Sequence, residues 1–180
     1  MVSLTNFFHR AATGPKRRRA LLTPVGLAVF GATLVIVMGG GLLTDRVLQL
    51  PALLPGAYGL VLGGLVLAAG ALLCGWCVVQ FQRARGTPVP MNPPETLIVN
   101  GPYAWVRNPM VTGVFGALFG LGLMLHSIGI TFVWAPAYVL LHWIELKRVE
   151  EPELTRRFGD TYVEYKNRVP MFIPRFPRGR

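Results

Sequence analysis

Long apolar runs separated by short polar stretches dominate the hydrophobic pattern of this chain. The runs cover about residues 21–43, 56–81, 109–125 and 128–144. A helix needs roughly 20 apolar residues to cross a bilayer core about 30 Å thick. Residues 109–144 contain no Asp, Glu, Lys or Arg, and they are too many for one span, so we divide them at His126 and Ser127. The pattern therefore predicts an all-α polytopic membrane protein with four transmembrane helices.

Three polar segments border these runs. Residues 1–20 form a basic N-terminal arm, and residues 82–108 form a loop that is rich in proline. Proline lacks the backbone N–H and disfavours helix at the residue before it, so this loop is not expected to be a regular helix. Residues 145–180 form a charged tail, in which we expect short helical segments. We therefore expect one membrane domain, residues 21–180, behind the basic arm.

Composition and charge support a membrane location. The chain is 52% hydrophobic and 14% charged, whereas soluble domains carry roughly 25% charged residues. The net charge is +10, but the basic residues cluster at the ends of the apolar runs. A lipid bilayer is therefore the expected partner, and nucleic acid is not.

The distribution of basic residues predicts the orientation. Of the 18 Lys and Arg residues, 5 lie in the arm, 1 follows the first run, 3 lie in the loop and 9 lie in the tail. Four spans place 17 of the 18 on one side of the membrane. Because basic residues concentrate on the cytoplasmic side, the N- and C-termini and the tail are predicted to be cytoplasmic.

The two cysteines, Cys74 and Cys77, lie inside an apolar run. A Cys-x-x-Cys pair is sometimes a redox or zinc site. Here there is no second pair and no charged neighbour, and thiols buried in an apolar helix behave as small hydrophobic groups. We therefore expect no metal site.

A first polar constellation, GPYAWVRNP at residues 101–109, precedes the third run. Its glycine allows the backbone to approach a ligand closely. Arg107 and Asn108 lie near a helix N-terminus, which favours anions. The same residues are equally typical of a helix that begins at a proline and carries interfacial aromatic residues and one arginine.

A second constellation, Lys147-Arg148-Val149-Glu150-Glu151, follows the fourth run. Glu150 and Glu151 point about 100° apart on a helix, so both can line one concave site. Carboxylates there suit sugar hydroxyls, an amino group or a sulfonium. The alternative is a solvated run of charges, which is the common fate of such a string.

Taken together, these segments resemble the isoprenylcysteine carboxyl methyltransferases, which belong with the phospholipid methyltransferase-like membrane enzymes. The family motif Gly-Pro-Tyr…Arg-(His/Asn)-Pro-x-Tyr-x-Gly is similar to Gly101-Pro102-Tyr103…Arg107-Asn108-Pro109-Met110…Gly113. The family's C-terminal signature is similar to Arg148-Val149-Glu150-Glu151, Leu154, Phe158-Gly159, Tyr162, Tyr165, Val169-Pro170 and Ile173-Pro174-Arg175. A loop of bacterial members is similar to Gly86-Thr87-Pro88-x-Pro90. The resemblance covers about half of the chain and implies a bacterial cytoplasmic membrane.

The resemblance implies an enzyme that binds S-adenosylmethionine in a pocket at the cytosolic end of the helices. By position in the motifs, the cofactor-binding residues are Gly101, Tyr103, Arg107, Asn108, Pro109, Glu150 and Glu151. Arg107 and Arg148 are the catalytic candidates, which would orient an anionic acceptor or the cofactor carboxylate. The acceptor is expected to be lipidic or prenylated and to enter from the bilayer.

One departure from the family pattern leaves the acceptor open. Val111 stands where the family commonly has tyrosine, and Asn108 in place of histidine removes a candidate base. An ionised carboxylate needs no base, whereas an amine must first lose a proton. The family's usual isoprenylcysteine-type carboxylate is the leading acceptor, and an amino-phospholipid headgroup or a non-catalytic membrane role is the alternative. The oligomeric state also stays open.

Overall fold

The computed structural model describes residues 6, 10, 14–54, 56–89 and 92–174, and no strand occurs among them. The main helices are α1 (Lys16–Leu48), α2 (Ala57–Arg83), α3 (Pro109–Met124), α4 (Ala135–Glu145), α5 (Glu151–Phe158) and α6 (Asp160–Arg168). A 3₁₀ turn, Gly101–Ala104, precedes α3, and the π-helical segments Gly129–Trp134 and Leu146–Glu150 flank α4. The all-α prediction is thus confirmed for the described residues.

Three described helical stretches are long and apolar enough to cross a membrane. They are Leu21–Leu48, Ala57–Arg83 and Gly129–Phe158. Helix α3 is apolar but has 16 residues, so it is about 24 Å long at about 1.5 Å per residue. A bilayer core is roughly 30 Å thick. The count of four spans, their orientation and the cytoplasmic position of the tail therefore stay predictions.

Two helix ends differ from those expected. Helix α1 continues past residue 43 to Leu48, because the carboxylate of Asp45 accepts hydrogen bonds from Ser127 Oγ and from the N–H of Gly129. The helix that contains the fourth predicted span continues past residue 144 to Phe158 and ends where Gly159 takes a φ of +56°. Residues 1–5, 7–9 and 11–13 of the basic arm, and motif residues Pro90 and Arg175, lie outside the described residues.

One compact unit comprises Ala28–Cys74 and Met110–Trp143. Within it α2 and α3 approach so closely that only glycine fits at the contacts. A Cβ on Gly63 would lie 2.6 Å from the carbonyl oxygen of Gly120, and one on Gly113 would lie 2.9 Å from that of Gly70. Gly113 and Gly120 of α3 therefore pack against α2, as small residues do between membrane helices.

The other compact unit comprises Met1–Leu27, Gly75–Pro109 and Ile144–Arg180. Aromatic contacts hold the segment before α3 against the end of α2: Trp76 meets Trp105 edge to face at 5.6 Å, and Phe81 meets Tyr103 at 5.9 Å. Such pairs contribute about 0.5–1.5 kcal/mol beyond their burial. This unit contains the two polar constellations.

Candidate functional site

A cavity of about 140 Å³ lies within the second of these units. Its charged and amide lining groups are Arg107, Asn108, Glu145, Glu150, Glu153 and Arg157. Its aromatic lining groups are Phe81, Tyr103, Phe158, Tyr162 and Tyr165. The cavity therefore combines carboxylates, guanidinium groups and aromatic faces in one small volume.

Three carboxylates face the cavity from one continuous helical stretch. The π-helical segment Leu146–Glu150 sets their register, because its hydrogen bonds join residues five apart and so bring Glu145 and Glu150 to one side. Glu153 follows Glu150 by three residues, which again places both on one helix face. In a regular α-helix Glu145 would point well away from Glu150. The π turn thus gathers three carboxyl groups at one wall.

Glu151 does not line the cavity but joins the two constellations. Its side chain is 8% exposed, and its Oε1 lies 3.1 Å from Nη1 of Arg107. Its Oε2 lies 2.7 Å from Nζ of Lys166, which is on α6, and 4.0 Å from Nζ of Lys147. One buried carboxylate therefore connects the segment before α3 with α5 and α6.

Arg107 is the cation of the first constellation. Its side chain is 9% exposed, and its Nε has no hydrogen-bond partner among the described residues. Its main-chain N–H donates to the carbonyl of Pro170 at 2.8 Å, and that of Asn108 donates to Met171 at 3.1 Å. The chain after α6 therefore fixes the backbone of Arg107, while one edge of the guanidinium remains available.

Tyrosines of α6 close the cavity on another side. The hydroxyl of Tyr165 donates to the carbonyl of Tyr103 at 2.8 Å. Burial raises the pKa of Tyr103, Tyr162 and Tyr165 above the ordinary tyrosine value. For Tyr162 the nearby Glu151 carboxylate raises the pKa further, and the Arg107 guanidinium opposes this. All three phenols therefore stay neutral near pH 7 and remain hydrogen-bond donors.

The structure brings together half of the residues proposed from the sequence. The proposed residues that line the cavity are Tyr103, Arg107, Asn108 and Glu150. Glu151 lies outside the lining and contacts Arg107, which is part of it. Gly101 and Pro109 shape the turn before α3 without lining the cavity, and Arg148 is exposed and outside the lining. Assignment of these residues to a cofactor or a reaction stays a prediction.

Sequence reasoning missed three charged groups of the lining. Glu145 lies outside both motifs, yet it faces the cavity. Its one signal was a carboxylate at the end of an apolar run, where such a group needs a partner or a function. Glu153 and Arg157 also line the cavity, and Nε of Arg157 lies 3.5 Å from Oε1 of Glu153. Their spacing of four residues is typical of an ion pair on a helix. The sequence does not indicate that this ion pair lies at the wall of the cavity.

Comparison with known proteins gives several similar sequences. Protein-S-isoprenylcysteine O-methyltransferase of Homo sapiens is 37% identical over 83 residues, which are 44% of this chain and 28% of that protein. The cobalt-zinc-cadmium resistance protein CzcN of Cupriavidus metallidurans is 30% identical over 100 residues, 56% of this chain and 42% of that protein. Methanethiol S-methyltransferase 2 of Bradyrhizobium diazoefficiens is 32% identical over 101 residues, 56% of this chain and 36% of that protein. The chain thus spans less than half the length of these relatives.

A solved structure and a family profile complete the comparison. The structure of the eukaryotic intramembrane Ras methyltransferase, isoprenylcysteine carboxyl methyltransferase, is similar with a TM-score of 0.54 and 21% sequence identity. The similarity covers 95% of this chain and 63% of that one, and it shows a related fold. The phospholipid methyltransferase profile matches residues 58–161, which is more than half of the chain. The protein therefore belongs to the phospholipid methyltransferase family.

Proposed function

We propose that this protein is an integral membrane methyltransferase that uses S-adenosylmethionine and methylates a lipidic or amphipathic acceptor. The observation that supports this most is the shared cavity, where Arg107 and Glu150 come together from motifs more than 40 residues apart in sequence. Family membership and the relatives named as methyltransferases support the reaction class. The three long apolar stretches support a membrane location.

The groups of the cavity fit the chemistry of this cofactor. S-adenosylmethionine supplies a methyl group that is activated on a sulfonium sulfur. Glu145, Glu150 and Glu153 suit its positive groups and ribose hydroxyls, because carboxylates accept hydrogen bonds and attract cations. The open Nε edge of Arg107 suits the cofactor carboxylate. Phe81 and other apolar wall residues suit the purine.

The residues of the chain then act mainly by binding and orientation. Methyl transfer is an in-line displacement, so positioning and exclusion of water supply much of the rate. The tyrosines and Phe158 exclude water, while Arg107 and Glu150 orient the ligand. We assign the orienting role to Arg107 and not to Arg148, because Arg148 is exposed and outside the lining.

We propose a carboxylate of isoprenylcysteine type as the first acceptor. Relatives named for isoprenylcysteine O-methylation support it, and an ionised carboxylate needs no base. An amino-phospholipid headgroup is the second candidate, because Glu145 and Glu150 offer carboxylates that can accept a proton from an amine.

The excess of basic residues in the arm, loop and tail supports the bacterial cytoplasmic membrane with both termini in the cytoplasm.

Calorimetric titration of the detergent-solubilised protein with S-adenosylhomocysteine tests the cofactor. Glu150→Gln removes one lining carboxylate, and Glu164→Gln makes the same change at an exposed position of α6. We expect the first variant to bind at least roughly tenfold more weakly, since a hydrogen bond to a charged group contributes about 1.5–3 kcal/mol. The second variant should bind like the wild type. A folded wild-type protein that binds no S-adenosylhomocysteine would instead support a non-catalytic member of the family.

Transfer of a labelled methyl group distinguishes the acceptors. The protein is incubated with methyl-tritiated S-adenosylmethionine and either an S-prenylated N-acetylcysteine or vesicles of phosphatidylethanolamine. A methyl ester releases its label as methanol in base, whereas an N-methyl group retains it. Base-labile product with the first probe supports the carboxylate, and stable product with the second probe supports the amine.

A further inference from the structure

Arg148 belongs to the second constellation, yet it does not line the cavity. Its side chain is exposed, and its guanidinium makes no ion pair or hydrogen bond among the described residues. Its neighbour Lys147 is also exposed, and Nζ of Lys147 lies 4.0 Å from Oε2 of Glu151, beyond hydrogen-bond distance. Two adjacent cations therefore face the surroundings of the protein.

The helical stretch that carries these cations has acidic and basic residues on different faces. Its carboxylates between residues 144 and 158 are buried or half-buried, and they are Glu145, Glu150, Glu151 and Glu153. Its exposed side chains in the same range are Ile144, Lys147, Arg148, Pro152, Thr155 and Arg156. The exposed face of this stretch therefore carries positive charge without an acidic residue beside it, which fits an anionic partner.

The exposed side chains of the same stretch change from apolar to basic within about one turn. Leu140, Leu141 and Trp143 are exposed, and Lys147 and Arg148 follow them. Tryptophan is enriched where a membrane helix meets the headgroups, and basic residues follow on the cytoplasmic side. Since a helix rises about 1.5 Å per residue, Lys147 lies about 6 Å beyond Trp143 along the axis. We therefore expect both cations at the depth of the lipid phosphates.

A phospholipid with a net negative charge fits both features of this surface. Its phosphate accepts hydrogen bonds from an ammonium and a guanidinium group, and its acyl chains cover the apolar side chains that precede them. We propose that Lys147 and Arg148 form a docking site for the headgroup of an anionic phospholipid. This inference uses the membrane location and not the methyl donor, so it goes beyond the proposed function.

Trp143 provides a local reporter for this site, because brominated acyl chains quench tryptophan fluorescence at short range. The full-length protein is reconstituted in phosphatidylcholine vesicles that contain either brominated phosphatidylglycerol or brominated phosphatidylcholine. The same measurement on the Trp143→Phe form of each protein is subtracted, which removes the signal of the other tryptophans. The ratio of the two quenching curves then gives the preference for the anionic lipid near Trp143.

The wild type should prefer phosphatidylglycerol by roughly fivefold to thirtyfold, because each cation near a membrane surface favours anionic lipid by roughly fivefold. Arg148→Gln should lower this preference by roughly threefold to fivefold. The double variant with Lys147→Gln and Arg148→Gln should show no preference.

Arg156→Gln is the matched control, because Arg156 is exposed on the same helical stretch. It lies about 12 Å beyond Arg148 along the axis, which exceeds the Debye length of about 8 Å at physiological salt. This variant should therefore keep the wild-type preference. An equal loss in Arg156→Gln and Arg148→Gln would overturn the inference, because diffuse attraction to all basic residues would then explain the preference.

Three other results would also overturn the inference. They are a wild type without a preference, a double variant that retains it, and a Trp143 signal that neither brominated lipid quenches. Inorganic phosphate at constant ionic strength should leave the preference unchanged, and its loss would assign the two cations to a soluble anion instead. These measurements contain no S-adenosylhomocysteine, so a failure of the proposed cofactor is distinguishable from a failure of this inference.

Discussion

Glu151→Gln is expected to destabilise the protein more than Arg107→Met, although both changes break the same ion pair. Glutamine keeps the shape of Glu151 and removes its charge. Arg107 is then left as a cation with a side chain only 9% exposed, facing a neutral amide. In Arg107→Met, by contrast, Glu151 keeps Lys166 at 2.7 Å. The pair is therefore asymmetric: among the described residues Glu151 has a second ion-pair partner in Lys166, whereas the ion pair of Arg107 is with Glu151.

The magnitudes follow from these contacts. Removing one partner of a buried ion pair costs about 3–5 kcal/mol when the remaining charge is uncompensated, so we expect this range for Glu151→Gln. Arg107→Met leaves Glu151 paired with Lys166 and keeps apolar packing at position 107, so we expect a smaller cost of about 0.5–3 kcal/mol, the usual range for a single substitution. The double variant should cost less than the sum of the single ones, because it leaves no buried arginine behind.

Unfolding in mixed micelles, titrated with a denaturing detergent in the absence of ligand, measures the three free energies of unfolding. Glu164→Gln is the control for loss of a carboxylate, because Glu164 is exposed. Equal costs for Glu151→Gln and Arg107→Met, or strictly additive costs in the double variant, would refute the reasoning. Either result would mean that the buried pair does not depend on Lys166 for its charge balance.

Three further predictions concern packing, capping and pH. Gly63→Ala should lower the free energy of unfolding by about 1–3 kcal/mol relative to Gly64→Ala. A Cβ at Gly63 would lie 2.6 Å from the backbone of α3, whereas nothing lies within 4 Å of a Cβ at Gly64. Equal stability of the two variants in the same detergent titration would contradict this. Asp45→Asn should cost about 0.5–2 kcal/mol, because the carboxylate accepts a 2.7 Å hydrogen bond from the N–H of Gly129, where the helical stretch before α4 begins. Thermal unfolding in detergent that matches the wild type would exclude a capping role. Burial raises the pKa of Tyr165 in the folded protein. The tyrosine of the unfolded chain therefore loses its proton at lower pH, and the stability of the fold should decrease as pH rises above about 10. In Tyr165→Phe the temperature of thermal unfolding should decrease less between about pH 9 and 11 than in the wild type.

The helices could be predicted from the sequence because their signal is local. Apolar runs of 17 or more residues and a proline-rich loop bracket α2 and α3 to within about two residues. The end of α1 could not be predicted in this way. A charged residue such as Asp45 at the end of an apolar run normally suggests that the membrane helix ends there. In the structure Asp45 lies inside α1, and its contacts with Ser127 and Gly129, more than 80 residues away in sequence, account for this.

The site shows a different limit. The 100° between Glu150 and Glu151 allowed both to line one concave site, but in the structure this angle separates them. Glu150 faces the cavity, and Glu151 turns to Arg107 and Lys166. Glu145 joins Glu150 only because the intervening turn is π-helical, and no residue pattern in the sequence specifies that extra residue in the turn. Sequence motifs therefore identified several groups of the cavity wall, while the long-range ion pair and the local change of helix type decide which carboxyl groups line the cavity.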